Sequence, residues 1–248
     1  FIEQEIIETG GGSECTAVGH DDVQKRSYPN SFGRHQGTLG FELIEEINLP
    51  ANAEQIAHEA VQLLTAKQCP SGVTTLILGA TQLALQVHES CGHPIELDRV
   101  FGTEASYAGT SFLTTDKLGH FRYGSDVVNI TADATILGGL GTFGFDDEGV
   151  PAQRTPIVRN GIFVGYLTSR EMAAMLGRQS NGAARADGWN RIPIIRMTNV
   201  NLEPGTGRFE DLIADTDDGI YMELNKSWSI DDKRLNFQFG TEIAYEIK

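Results

Sequence analysis

The chain has 248 residues, a formal net charge of −15 and a pI near 4.7, and is long enough to bury a sizeable core as one large or two small domains. Its acidity is diffuse and no basic stripe interrupts it, which argues against a nucleic-acid partner, because phosphate binding needs clustered Lys and Arg. No apolar run is long enough to span a membrane, no signal peptide opens the chain, and three scattered cysteines (Cys15, Cys69, Cys91) do not make a disulfide framework, so a soluble cytoplasmic protein without a membrane partner is expected.

In chain order, residues 1–49 read as β structure. Phe1 to Ile7 alternates apolar and acidic residues, Gly10 to Ser13 breaks the run, and Glu14 to Gly19 and Val23 to Tyr28 follow as short strands. Leu39 to Leu49 alternates again. From Asn52 the period becomes helical through Ile56, Ala57, Ala60, Val61 and Leu64, with Asn52 and Gln55 resembling a capping box. Cys69 to Gly72 is the expected boundary, separating a small β-plus-helix unit (1–70) from the remainder (71–248).

Val73 to Leu78 is a β-branched strand that Gly79 turns into a helix from about Thr81 to Gly92, with Leu83, Ala84, Val87 and Cys91 on one stripe. Beyond it come short strands and glycine-rich turns. Strands are expected within Phe121 to Ile136, a close-approach loop at Gly138 to Gly144, and a hairpin around Asn160-Gly161 inside Ile157 to Leu167. Ser169 to Leu176 is a short helix ended by Gly177, and Ile192 to Leu202, Gly219 to Leu224 and Leu235 to Ile247 are further strands. The fold class is α+β, mostly antiparallel sheet, with a strand–turn–helix carrying the motif described next.

His88-Glu89-Ser90-Cys91-Gly92-His93 places two imidazoles and a carboxylate at HExxxH spacing near the end of that helix. Two such rings can hold a divalent ion, and the adjacent Glu89 can take a proton from water, the chemistry of a zinc-type hydrolase. Five residues apart, however, the rings diverge by about 140° on a regular α-helix. Gly92 and Pro94 offer a remedy, since unwinding or a π-bulge over Ser90 to Gly92 would swing His93 back towards His88.

A third ligand is not evident. Cys91 reads as core, Cys15 and Cys69 as buried inert thiols, and Glu96 or Asp98 could coordinate or orient a ligating imidazole. In a gluzincin-like alternative, Glu104 or Glu148 would complete the site. Asp146, Asp147 and Glu148 read as exposed loop acids, Trp189 and Trp228 as core or interface, and Arg185 as a residue able to clamp a peptide carboxylate or support Glu89.

His88 to Asp98 (HESCGHPIELD) resembles the TldD/PmbA family of metallopeptidases, whose active member carries HEAxGHxxEGD. The resemblance extends to Glu3–Ile6, Gln24–Pro29, Phe145–Thr155, Asn181–Ala186 and Arg196–Gly205, in the same order. It implies a zinc-dependent peptidase of short or unfolded peptides with His88 and His93 as metal ligands and Glu89 as base. It also implies a homodimer, or a heterodimer with a motif-lacking paralogue. The family's third ligand is a Cys near the C-terminus, and no Cys follows Cys91 here. The chain therefore reads as a fragment lacking both ends, with a weak or empty metal site in this form. Ser90-Cys91, Leu97 and Asn225–Ile230 depart from the family pattern.

Overall fold

A computed structural model describes all residues from Phe1 to Lys248. The chain makes a mixed α+β fold in which antiparallel pairing dominates, and its contacts divide it into two compact units.

One unit comprises Glu8–Leu85, Thr206–Ser229 and Gln238–Lys248. Its first segments are β1 (Thr9–Gly11), β2 (Ser13–Val18), β3 (Val23–Tyr28), β4 (His35–Gly37), α1 (Glu42–Ile47), α2 (Leu49–Leu63) and β5 (Thr75–Leu78). β2 pairs antiparallel with β3, and β1 with β4. Phe1 to Ile7 forms no strand, and Leu39 to Leu49 is not extended. Leu43 and Ile47 are both buried while Glu45 between them is exposed and Ile44 half-buried; alternation would put Glu45 on the buried face, and a helix puts Ile44 there instead. α2 also begins earlier than the expected capping box. Asn48, in the left-handed region at φ 47°, closes α1 and opens α2, Pro50 sits in the first turn, and Asn52 donates to the Asn48 carbonyl. Cys15 is half-buried and Cys69 exposed, so the expected burial of both thiols does not hold.

The sequence then passes through α3 (Ala80–Val87) into the second unit, which comprises Phe1–Ile7, Gln86–Gly205 and Ile230–Phe237. It holds α4 (Leu97–Phe101), α5 (Ala105–Ala108), β6 (Ile130–Asp133), β7 (Arg154–Arg159), β8 (Ile162–Phe163), α6 (Arg170–Met175), β9 (Ala184–Arg185), β10 (Ile194–Ile195) and β11 (Asn199–Leu202). An antiparallel sheet runs β11-β6-β7-β8, and β9 pairs with β10. Between Phe121 and Ile136 only β6 is a regular strand. The β7–β8 hairpin turns on Asn160 (φ 47°) and Gly161 (φ 76°), the two positive φ values a type I′ turn requires. Ser169 caps α6 by accepting from the Met172 N–H, and Gly177 ends it at φ 63°. Ile95, Leu97, Leu113, Phe163 and Leu167 are fully buried here. Each is worth about 2 kcal/mol of apolar burial, so the segment that follows the motif is anchored in the core.

The chain closes in the first unit with α7 (Phe209–Ala214), β12 (Gly219–Ile230) and β13 (Phe237–Ile247), and the strands lie in the order β13-β12-β5. β12 runs parallel to β5. No helix is long and apolar enough to cross a membrane.

Candidate metal centre

α3 does not continue as an α-helix through the motif. His88–Gly92 is a π turn, closed by a hydrogen bond from the His93 N–H to the His88 carbonyl, and His93–Ile95 is a short 3₁₀ turn. Lengthening the repeat by one residue puts positions 88 and 93 a single turn apart, which removes the angular mismatch of an α-helix. The imidazole centroids lie 4.7 Å apart at an interplanar angle of 85°. His88, Glu89 and His93 bring one potential ligand atom each within 4.8 Å of one another.

Side chains from distant segments hold the turn. The Tyr123 hydroxyl donates to the Ser90 carbonyl, and Ser111 Oγ donates to that of Pro94 at 2.7 Å. At Gly92 a Cβ would overlap Met197 Sδ, so glycine is required there by close approach. Because the Tyr123 proton is committed to Ser90, the Cys91 thiol donates to Tyr123 Oη at 3.0 Å. Burial pushes that thiol up to about 11, so Cys91 is a neutral core thiol, as its stripe position suggested.

Beyond the turn the backbone straightens at Glu96, which is wholly buried. Glu96 Oε2 faces His93 Nδ1 at 2.9 Å and pairs with Arg99 Nε, and Oε1 accepts from the Met197 N–H at 3.1 Å. A carboxylate on Nδ1 fixes that nitrogen as the protonated one and leaves Nε2 with a free lone pair. Asp98 ties down β10 instead: its carboxylate accepts from Ile195 N at 3.0 Å and from Arg99 N at 2.8 Å. Burial pushes Asp98 up to about 6, and burial also raises Glu96.

Burial lowers His93 to about 3, and the neighbouring guanidiniums of Arg99, Arg196 and Arg234 push the same way. His88 falls to about 4, first through loss of solvent around its packed side and then through His93. His88 is nevertheless exposed, so the buried His93 is the more firmly neutral of the two. Both are unprotonated at neutral pH. Two neutral imidazoles suit a borderline-soft divalent ion, and the carboxylate of Glu89 beside them suits a water bound to it.

Glu104 and Glu148 stand outside this cluster. Glu148 instead accepts from the Arg170 N–H at 2.7 Å. Nor is Asp146 an exposed loop acid. It is buried, and its two oxygens accept from the N–H groups of Glu148, Val150 and Ala184, with Asp147 bonding Ala186 N. Arg185 lies over the Phe143 ring at 5.7 Å. Trp189 is 98% exposed and so outside any core, and Trp228 is half-exposed against Phe32. Sequence reasoning missed Tyr123, for which no local signal exists, and Arg99 and Arg196, which sit inside recognisable words without a chemical reason until folded.

A sequence profile of the PmbA/TldA metallopeptidase C-terminal domain matches residues 71–248, and the chain belongs to this family. It is 38% identical over its whole length to Metalloprotease MJ0996 of Methanocaldococcus jannaschii, covering 51% of that protein. It is 27% identical to the zinc metalloprotease TldD homolog of Saccharolobus solfataricus, over 72% of this chain and 38% of that one. The crystal structure of TldE from Thermococcus kodakarensis shares the fold, with TM-score 0.68 at 23% identity over 94% of this chain and 49% of that one. The chain thus spans about half the length of the curated relatives it matches.

Proposed function

We propose that this chain carries the catalytic centre of a zinc-dependent peptidase acting on short or unfolded peptides, with His88 and His93 as the metal ligands and Glu89 as the general base. The observation that carries the reading is the π turn: it converts an unfavourable HExxxH spacing into two neutral imidazoles and a carboxylate within 4.8 Å, one imidazole being oriented by a buried Glu96. Kinship with proteins named metalloproteases, one of them a zinc metalloprotease, supports it.

A divalent ion held by His88 and His93 would supply Lewis acidity and lower the pKa of a bound water to near neutral. Glu89 accepts the proton of the attacking water and returns it to the departing amine. Glu96 keeps His93 in one tautomer, and the Tyr123 and Ser111 hydrogen bonds keep the turn from relaxing to an α-helix. Residues 71–248 form the peptidase part in this reading, and 1–70 the region preceding it. Assembly as a dimer with a second copy or a motif-lacking paralogue belongs to the same reading, and three free thiols suit a reducing, cytoplasmic location.

In the full-length protein, Glu89→Gln retains metal but loses cleavage of an unstructured peptide by about 10²- to 10⁴-fold, the usual worth of a general base. Retained cleavage rejects the assignment. A wild-type protein free of zinc after chelator-free purification supports a non-catalytic interaction subunit instead.

A further inference from the structure

Although the chain carries a net charge of −15, the guanidiniums of Arg99, Arg196 and Arg234 gather near the buried Glu96 beside the candidate metal centre. Arg99 is held at two points: Nε pairs with Glu96, and Nη1 donates to the Ala108 carbonyl at 2.9 Å. Arg234 donates to the same carbonyl at 2.9 Å, its Nε is buried without an acceptor, and its backbone is held in the left-handed region at φ 62°. Arg196 is different again. It makes one long ion pair, 3.9 Å from Nη1 to Glu96 Oε1, and its side chain is 38% exposed.

Arg234 also faces the carboxylates of Glu89 and Asp232, so it is matched within the site, whereas Arg196 has only the long pair to Glu96. Glu96 Oε2 serves His93 and Arg99, and Oε1 already accepts from the Met197 N–H. Arg196 is therefore left with donors to spare for an added anion. Arg196 can turn a planar two-pronged edge to such an anion, the geometry that matches a carboxylate.

We infer that Arg196 binds the free C-terminal carboxylate of the peptide substrate, so that this site recognises peptides by their carboxyl end. The inference rests on the peptidase reading for its substrate class. Position favours a terminal carboxylate over the reacting carbonyl oxygen, because Arg196 lies across the Glu96 carboxyl from His93. An extended peptide advances about 3.5 Å per residue, so a carboxylate held there lies a residue or two beyond the bond presented at the His88–His93 cluster.

Binding and turnover test this separately in the full-length protein. A dansylated alanine hexapeptide and its C-terminal amide are titrated by fluorescence into the Glu89→Gln protein. The free acid should bind roughly 10- to 100-fold tighter, the range of a charge-assisted hydrogen bond. Arg196→Met should erase that difference, and Arg196→Lys should restore part of it by returning the charge without the fork. In the wild-type background Arg196→Met should raise KM for the free acid far more than it lowers kcat. Equal binding of acid and amide overturns the inference even if the peptide is cleaved. So does an Arg196→Met variant that weakens both ligands equally, which marks a structural role. Retained cleavage by Glu89→Gln would reject the general-base assignment while leaving the acid-against-amide comparison intact.

Discussion

Replacing Gly92 by Ala gives a stability change whose sign separates two explanations of the turn. Gly92 has φ −70° and ψ −56°, ordinary helical values that any residue adopts. Helix propensity alone therefore predicts that Ala stabilises, by about 1 kcal/mol. The surroundings predict the opposite. The new methyl would overlap Met197 Sδ and lie 3.2 Å from its Cγ and 3.4 Å from its Cε, and Met197 is itself buried. Overpacking of this kind costs about 1–3 kcal/mol. The steric term wins, leaving a net loss of about 1 kcal/mol. Because residue 92 directly precedes His93, the same displacement should weaken metal binding. Urea denaturation should show a lower midpoint at unchanged slope, and zinc competition against a chelator a weaker site. Met197→Ala in the Gly92→Ala background should recover part of the loss, with a coupling of about 1 kcal/mol between the two positions. A Gly92→Ala protein more stable than wild type, with undiminished zinc affinity, would refute the close-packing account.

Two further outcomes are expected. The metal-free protein should lose stability as pH falls from 6.5 towards 4, because the unfolded imidazoles of His88 and His93 take up protons that the folded state, with values of about 4 and 3, resists. Asp98, raised by burial to about 6, binds its proton more readily when folded and offsets part of this loss below that pH. Urea midpoints across the range check it, and an unchanged slope in His93→Gln would show that His93 contributes nothing. Thiol titration at pH 8 should find Cys69 reactive at once and Cys91 protected until unfolding, since one is exposed and the other buried with its thiol held up to about 11. Rapid modification of Cys91, located by mass spectrometry, would contradict the packing described around the turn.

The local devices were legible in the residues themselves. Asn160-Gly161 specifies its hairpin, Ser169 and Gly177 bracket α6, and Gly92 with Pro94 announce a break in the motif helix, because each acts through backbone conformation within a few residues. Leu39 to Leu49 misled, since Leu43 and Ile47 share a face at either period and only the exposure of Glu45 between them selects the helix. What the tertiary structure decided is the environment of His88, Glu89 and His93. Tyr123 and Met197 reach the π turn, and Ser111 the 3₁₀ turn after it, from segments remote in sequence, and Arg196 reaches Glu96 across 100 positions. Motif spacing names the donors, but their protonation, their orientation and the charge beside them depend on desolvation and on contacts that exist only once the chain is packed.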